Sequence, residues 1–225
     1  MVDFNNIVLI TSVINPVEKP LSYTKTRSVY TKDERFEQTK KTIRSLDLIS
    51  DKLVILIEGS NIESSKEIYL KNNVNLYENL FYDKKKYKII KSKYKLLGEV
   101  AQTLEAVEFI KSLDLKFNNF FKITGRYHLT ENFEIDRFNN DKFIVKKIDN
   151  DINNVITSLY KVPYKYFENY FNFLKEVTNN KKKYALGIEK NYANFLLREN
   201  QLEKDYIDHL GIFSIVSVSN DKFEA

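Results

Sequence analysis

Several residue types and motifs are scarce in or missing from this sequence. It has no cysteine and no tryptophan, and only five glycines and three prolines in 225 residues. Without cysteine the chain can form no disulfide bond, no thiolate metal site and no cysteine nucleophile. Walker A, GxGxxG and GxSxG sequences are also missing. Their absence argues against P-loop NTPases, dinucleotide-dependent oxidoreductases and α/β-hydrolases.

The composition predicts a soluble globular protein. Hydrophobic residues make up 43% of the chain and charged residues 30%, and no apolar run approaches the roughly 20 residues that span a bilayer. The first apolar run, residues 7–10, is too short for a signal peptide, so we expect a cytoplasmic location. With 36 basic and 31 acidic residues the net charge is +5, which permits nucleic-acid binding but does not require it.

Buried strands that alternate with helices predict an α/β fold. Residues 6–14 and 51–58 are rich in β-branched residues, a pattern typical of parallel strands buried on both faces. Thr31 and Glu34 fit a capping box, which predicts the start of a helix between these strands. Because no Pro, Gly or Ser-rich linker divides the chain, we expect residues 1–225 to form one domain, with a mixed, mostly parallel sheet flanked by helices. We also predict helices at 64–71, 98–113, 164–177 and 192–203, strands at 74–77, 119–124, 143–147, 156–160 and 212–218, and a mobile basic loop at 81–95.

Open α/β sheets bind ligands at the carboxyl ends of their strands, so the loops at those ends are candidate sites. The loop after the first strand, residues 22–30, contains Lys25 and Arg27. These cations could hold a phosphate through charge-assisted hydrogen bonds, and an ordinary solvated loop is an equal alternative. At the end of the second strand, Glu58 could accept hydrogen bonds from a ribose diol or a base, or it could be a turn acid.

The densest group of polar residues follows the predicted strand 119–124. Lys122 and Thr124 alternate with apolar residues, so one face of this strand carries a cation and a hydroxyl. Gly125 lets the backbone approach a ligand closely, and the Arg126 guanidinium matches phosphate oxygens. These features predict an anion site. The alternative is that Lys122 extends along a sheet edge and Arg126 pairs with a surface acid.

Three other titratable residues are weaker candidates. Glu189 precedes the predicted helix 192–203 and could act as a general base, or it could be a favourable charge at a helix N-terminus. His128 and His209 each lack a neighbouring His or Glu at a metal-ligand spacing, so no metal site is predicted. His128 gains interest only from its place beside Arg126 and its neighbours.

The order of these pieces resembles the nucleotide-binding domain of GT-A-fold glycosyltransferases, particularly the family-2 type. Residues 56–60 (LIEGS) stand where such enzymes carry an acid-rich turn after the second strand. Residues 97–110 (LGEVAQTLEAVEFI) and 120–133 (FFKITGRYHLTENF) match the Gly-led helix and the strand that reads into Asp-x-Asp. The likeness covers roughly residues 6–200. Asp-x-Asp itself is missing, because residues 124–126 (Thr-Gly-Arg) occupy its position.

The resemblance implies transfer of a sugar from a UDP-, GDP- or CMP-linked donor to a glycan or a lipid-linked acceptor. Glu58 would then contact the nucleoside and Glu189 would be the base. Lys122 and Arg126 could neutralise the diphosphate in place of a divalent metal, which leaves metal dependence open. Residues 1–130 would bind the nucleotide and residues 131–225 the acceptor. The implied donor-binding residues are Lys25, Arg27, Glu58, Thr124, Gly125, Tyr127 and His128.

Two other functions are weighed against this one. The first is a non-enzymatic domain that binds nucleic acid or glycan. Nucleic-acid binding is suggested by the lysine- and tyrosine-rich segment 84–95 and by Lys181 to Lys183. That charge run is better explained as a solvated face or as a peripheral contact with acidic lipids, so no nucleic-acid partner is expected. A nucleotidyltransferase on a similar sheet would need paired metal-binding carboxylates where Thr124 and Arg126 stand.

Overall fold

The structure, a computed structural model, describes residues 4–22, 24–180, 187–215 and 222–225. Helices and strands alternate along most of these ranges. The strands are β1 (Asn6–Ser12), β2 (Lys52–Glu58), β3 (Leu76–Asn79), β4 (Asn119–Thr124), β5 (His128–Leu129), β6 (Phe143–Val145), β7 (Lys147–Ile148), β8 (Asp151–Val155), β9 (Leu159–Pro163), β10 (Lys204–Tyr206), β11 (Ile212–Ile215) and β12 (Lys222–Glu224). The helices are α1 (Lys32–Ser45), α2 (Ser64–Asn73), α3 (Lys84–Ile90), α4 (Lys95–Ser112), α5 (Phe167–Asn179) and α6 (Ile188–Arg198).

The main sheet has the strand order β10-β6-β9-β4-β1-β2-β3 within the described ranges. β1 runs parallel to β2 and to β4, β2 parallel to β3, and β6 parallel to β10. β9 is antiparallel to both β4 and β6, so β4 and β6 run in the same direction. The carboxyl ends of the other six strands therefore meet at one edge. This arrangement confirms the predicted mixed, mostly parallel sheet.

Both faces of this sheet are covered, because alternate side chains of each strand point to opposite layers. All seven residues of β1 are buried. Ile7 and Leu9 belong to the core formed with α4, α5 and α6. Val8 and Ile10 belong to the second core, against which α1 and α2 pack. A strand buried on both faces lacks polar alternation, which explains the unbroken apolar sequence.

The start of α1 confirms the predicted capping box. The Thr31 side chain accepts a hydrogen bond from the Glu34 backbone N–H at 3.2 Å, and the Glu34 carboxylate accepts one from the Thr31 N–H at 2.8 Å. The cap satisfies two N–H groups that have no partner within the helix. It also fixes where α1 begins, and Arg35, the next residue, is consequently turned inward and buried.

The segment predicted as a mobile basic loop is mostly helical, so that prediction is wrong. Asp83 accepts hydrogen bonds from the backbone N–H groups of Lys85 and Lys86, at 2.8 and 3.1 Å, and so caps α3. Ile90, at the end of α3, is buried in the core. The N-cap at Asp83 and the buried Ile90 side chain stabilise this short helix. The run of lysines does not by itself predict it.

Element boundaries differ from the predictions in the second half of the chain. The predicted strand 156–160 is replaced by β8 and β9; the hairpin turn before β8 places Asp149 and Asn150 at φ 51° and 58°, which suits a type I′ turn. The helix predicted at 192–203 begins earlier, at Ile188. The last predicted strand begins at Ile212 as expected, and its residues 216–218 lie outside the described residues.

In the described ranges, no helix combines the length and the apolar character that crossing a membrane requires.

Candidate active site

A cleft of about 170 Å³ opens at the carboxyl ends of β1 and β4. It lies at the edge of the sheet where open α/β folds bind ligands. Residues 11–13, which include the end of β1, form one part of its wall, and the first turns of α4 form another. The charged and amide side chains that line it are Arg27, Arg35, Lys95, Glu99, Gln102 and Arg126.

Arg126 lies two residues beyond the end of β4 and reaches into this cleft. Its Nη1 atom is buried and has no hydrogen-bond partner among the described residues. Its backbone oxygen accepts a hydrogen bond of 2.7 Å from the Ser214 hydroxyl, which anchors the turn from outside the main sheet. A buried guanidinium N–H without an acceptor is costly, so this position favours a bound anion.

Arg35 is a second cation in the cleft, which α1 supplies. Its Nε donates to the backbone oxygen of Val13 at 2.7 Å, and its Nη1 lies 3.3 Å from the Ser28 hydroxyl. Burial, together with the positive charges of Arg126 and Arg27, lowers the pKa of Arg35 to about 9. The guanidinium is still charged at neutral pH. Because like charges disfavour one another, an anion among the three arginines would relieve this repulsion.

Arg27 connects two walls of the cleft. It donates hydrogen bonds to the backbone oxygens of Ser92 and, at 3.4 Å, of Ile90, just beyond and at the end of α3. In addition, the Ser22 N–H donates to the Lys93 oxygen at 2.9 Å. The loop after β1 is thereby fastened to the segment between α3 and α4. Lys25, predicted beside Arg27, is exposed and is not part of the cleft lining.

Lys122 points away from the cleft surface and into the protein. Its side chain is fully buried, and its ammonium forms an ion pair with Glu99 on α4. The same ammonium donates to the Thr124 hydroxyl at 2.8 Å and to the Thr157 backbone oxygen at 2.9 Å. All three N–H groups therefore have acceptors within the protein. The structure thus joins Lys122 to the cleft through Glu99 and Thr124, rather than presenting it directly to a diphosphate.

Glu58 is also enclosed, instead of projecting from the end of β2. Its side chain accepts hydrogen bonds from the Ile14 backbone N–H at 3.1 Å and from the Ser60 hydroxyl. Burial raises the pKa of this carboxyl, although these hydrogen bonds oppose the change. Glu58 holds the loop that follows β1, and it is not part of the cleft lining. In this structure a nucleoside would not reach it.

Gly125 allows a close approach, but the approaching group belongs to the protein. A Cβ at this position would lie 3.2 to 3.3 Å from atoms of Ile10, Ser12 and Thr11. The Gly125 N–H donates to the Thr11 oxygen at 2.8 Å, and its own oxygen accepts from Thr39 at 2.9 Å. The predicted contact with a ligand is thus replaced by tight packing against β1.

The other predicted residues differ in their distance from the cleft. Thr124 and Tyr127 line it, and the Arg126 guanidinium lies 5.6 Å from the centre of the Tyr127 ring. His128 lies in β5 beside Phe213 and is outside the lining. Burial lowers its pKa. Glu189 lies in the first turn of α6, not ahead of it, and the cleft lining does not include it either.

Three functional-site candidates were missed by reasoning from the sequence. Glu99 and Gln102 lie one turn apart on α4, and Gln102 donates to the Ser12 and Ile57 oxygens at 2.6 and 2.9 Å. Lys95, Glu99 and Gln102 are spaced so that they lie on one face of the helix. This spacing is the sequence signal that could have identified Glu99 and Gln102. Arg35 gave no comparable signal, because an arginine in the first turn of a helix is usually exposed.

The cleft does not fit a divalent metal ion. Mg²⁺ and Mn²⁺ favour several carboxylate or carbonyl oxygens. Within the described ranges no three His, Asp or Glu residues come close enough to form a metal site. The carboxylate in the lining, Glu99, is paired with Lys122, and Arg126 follows the strand end. Positive side chains at this edge would repel a cation.

Comparisons with known proteins identify the fold through solved structures. No family model and no curated protein matches the sequence. Among solved structures, the CTP:phosphocholine cytidylyltransferase LicC of Streptococcus pneumoniae is 12% identical with a TM-score of 0.51, over 95% of both chains. The glycosyltransferase GlyE of Streptococcus pneumoniae TIGR4 is 10% identical with a TM-score of 0.50; the match covers 90% of this chain and 45% of GlyE. A glycosyltransferase involved in glycosylation of the PBCV-1 major capsid is 9% identical, with a TM-score of 0.47, over 90% of this chain and 81% of its own.

The likenesses to LicC and GlyE identify a GT-A-like fold, which confirms the predicted fold. The fold is shared by glycosyltransferases and nucleotidyltransferases. At identities this low, the roles of particular residues have to be argued from the cleft itself.

Proposed function

We propose that this protein is a glycosyltransferase that moves a sugar, a hexose or a related one, from a nucleotide sugar to a glycan or a lipid-linked acceptor. The observation that carries the proposal is the convergence of Arg27, Arg35 and Arg126 on one cleft, with a buried Nη1 of Arg126 that lacks a partner among the described residues. Their mutual repulsion favours a ligand with more than one negative charge, and the diphosphate of a UDP- or GDP-linked sugar supplies it.

The arginines would act on the leaving group. In the transfer, the bond between the anomeric carbon and the phosphate oxygen breaks while an acceptor hydroxyl forms a new bond to that carbon. Negative charge then develops on the departing phosphate. The Arg35 guanidinium is held by the Val13 oxygen and the Arg126 backbone by Ser214, so both arginines would stabilise this charge from anchored positions. UDP, GDP and CMP are the candidate leaving groups.

The acceptor hydroxyl must lose a proton, and Glu189 is our proposed base. It lies one helical turn before Tyr192 on α6. The Tyr192 hydroxyl lies 2.9 Å from that of Tyr160, and Tyr160 pairs across the sheet with Lys122. These contacts connect helix α6 to β9 and so to β4, the strand that leads into the cleft. We propose that the Glu189 carboxylate takes the proton from an acceptor that enters from the side of α6. We further propose that residues 1–130 bind the nucleotide and residues 131–225 the acceptor.

Nucleotide binding through Arg126 is tested by thermal unfolding. At one hundred times its Kd, the correct nucleotide should stabilise the protein by about 2.7 kcal/mol, which raises Tm by about 5–10 °C in a chain of this size. Arg126→Ala should weaken binding about 10- to 100-fold, because it removes charged hydrogen bonds to phosphate. At the same nucleotide concentration the shift should then fall to about 3–6 °C for a 10-fold loss of affinity and to about 1–2 °C for a 100-fold loss.

The matched control is Arg137→Ala, which removes an arginine that pairs with Glu134 outside the cleft. It should leave the shift unchanged. Each nucleotide is measured with EDTA and with Mn²⁺, and an equal shift in both supports neutralisation by arginine. No shift with UDP, GDP or CMP contradicts the proposal. Release of pyrophosphate from a nucleoside triphosphate, without release of UDP, GDP or CMP from a sugar nucleotide, would identify a nucleotidyltransferase instead.

A peripheral contact with acidic lipid would bring a lipid-linked acceptor to the cleft. Exposed lysines surround α3, which ends beside Arg27 at the cleft wall: Lys84, Lys85, Lys88, Lys91 and Lys93. Tyr82 is 66% exposed on the same segment and could lie at the headgroup level. Each lysine near an anionic surface contributes roughly 1 kcal/mol.

This contact is tested by sedimentation with vesicles of phosphatidylcholine and phosphatidylserine. The double variant Lys84→Gln and Lys85→Gln should bind roughly 30-fold less, since it removes two such contributions. Lys41→Gln with Lys142→Gln, which removes two exposed lysines elsewhere, should bind as the unmodified protein does. Equal binding of all three proteins would count against a lipid contact at α3.

A further inference from the structure

Glu99 is an acidic residue in a cleft whose other charged side chains are basic. The lining described here contains four cations, Arg27, Arg35, Lys95 and Arg126, and the carboxylate of Glu99 on α4. In a cleft that only bound a diphosphate, this carboxylate would repel the ligand and weaken binding. Its presence therefore suggests that a different part of the ligand lies next to it.

Stabilisation of the buried Lys122 does not fully explain this carboxylate. Glu99 Oε1 pairs with the ammonium of Lys122, whose side chain is fully buried. Such buried pairs are often no more stabilising than apolar residues of similar volume, so packing alone does not require one. The second oxygen, Oε2, accepts no hydrogen bond from the described residues, and the Glu99 side chain retains 10% of its exposure. One oxygen is thus anchored while the other remains for a ligand.

The state of Glu99 suits a hydrogen-bond acceptor. Burial alone would raise its pKa, but the charges of Lys122 and Lys95 outweigh burial and keep the pKa below its ordinary value. The carboxylate is therefore ionised at neutral pH and is a weak base. The Lys122 ammonium fixes the orientation of the Glu99 carboxylate, and is itself held by the Thr124 hydroxyl and the Thr157 oxygen. A preorganised carboxylate of this kind binds hydroxyl groups well.

We infer that Glu99 accepts a hydrogen bond from a hydroxyl of the donor sugar and selects for sugar nucleotides over free nucleotides in this cleft. The inference rests on the proposed function and adds the residue that recognises the sugar. A nucleotide sugar presents its phosphate groups to the three arginines, two in a UDP- or GDP-linked sugar and one in a CMP-linked sugar, and it has hydroxyl groups a few bonds away. A free nucleotide presents only charge at that place, and Glu99 would repel it.

The test compares the affinity of three pairs of compounds by titration calorimetry. The pairs are UDP with UDP-glucose, GDP with GDP-mannose, and CMP with CMP-sialic acid. For the pair that the protein binds, the sugar nucleotide should bind more tightly than the nucleotide. In Glu99→Gln the sugar nucleotide should lose about 10-fold in affinity, because a hydrogen bond to a charged acceptor is lost. The free nucleotide should bind equally well or more tightly.

Glu105→Gln is the matched control, because Glu105 lies on the same helix and pairs with Lys86 outside the cleft. It should leave both affinities unchanged. The double variant Glu99→Gln with Lys122→Met avoids an unpaired buried lysine, and it should lose the preference for the sugar nucleotide in the same way. The inference is overturned if Glu99→Gln weakens both compounds equally or leaves the preference intact.

The same titrations separate this inference from the proposed function. If the unmodified protein binds no compound of the three pairs, the proposed function fails, and the role of Glu99 fails with it. If it binds a pair and the ratio of the two affinities is the same in Glu99→Gln, the nucleotide site stands and the sugar contact is wrong.

Discussion

Replacing Glu99 with alanine should lower the free energy of unfolding by about 3–5 kcal/mol, the range observed when one partner of a buried ion pair is removed. The Lys122 side chain is fully buried. Without Glu99, its ammonium would keep hydrogen bonds to the Thr124 hydroxyl and the Thr157 backbone oxygen, at 2.8 and 2.9 Å. Neither acceptor carries a charge. Urea unfolding at pH 7 measures the loss.

The pH dependence of the same variant separates this cause from a simple loss of packing. Burial already lowers the pKa of Lys122 in the unmodified protein, and without Glu99 the pKa should fall further. The unfolded chain then binds more protons than the folded one, so the stability of the variant should rise with pH. Glu99→Ala should therefore recover part of its lost stability between pH 7 and pH 9.

The control for this prediction removes both charges. Glu99→Gln with Lys122→Met leaves no unpaired charge at this position, so it should lose less stability than Glu99→Ala, within about 1.5 kcal/mol of the unmodified protein. A loss below about 1 kcal/mol in Glu99→Ala, the same at pH 7 and pH 9, would show that the ion pair contributes little to the fold.

The strands and their direction could be predicted because they depend on local pattern. β1 and β2 are buried on both faces, and only a covered parallel sheet accommodates such unbroken apolar runs. The capping box at Thr31 was equally local. The helix α3 was missed although its N-cap, Asp83, is visible in the sequence. There, a run of lysines outweighed the single capping residue.

The candidate site could be predicted only in part, because its contacts join distant segments. Arg126 and Thr124 follow from a strand end, and both line the cleft. Lys122 lies on the same strand, but the alternation of side chains turns it toward α4, and its partner Glu99 is 23 residues away. Glu58 is comparable: its hydrogen bond to Ile14 spans 44 residues. No local pattern shows that a carboxylate at a strand end will be enclosed.

Gly211→Ala should be the most disruptive glycine substitution near the site, with a loss of about 2–5 kcal/mol. Gly211 has a φ of 65°, a left-handed conformation that costs a residue with a Cβ about 1–2 kcal/mol. Its Cβ would also lie 2.5 Å from the backbone nitrogen of Phe133 and would meet the Cα of that residue. Neither atom can move without moving the chain, which adds about 1–3 kcal/mol of strain.

This loss should extend to nucleotide binding, because Gly211 leads into the strand that supports Arg126. β11 pairs with β5 through Phe213 and His128, and Ser214 on β11 holds the Arg126 oxygen at 2.7 Å. Gly211→Ala should therefore reduce both the urea midpoint and the nucleotide-dependent rise in Tm. Gly187→Ala is the control, since its Cβ would meet only the flexible end of Glu189, at 3.0 Å. If the two variants were equally stable and bound nucleotide equally, the three-stranded sheet of β5, β11 and β12 would not be what positions Arg126, and the turn after β4 would position it alone.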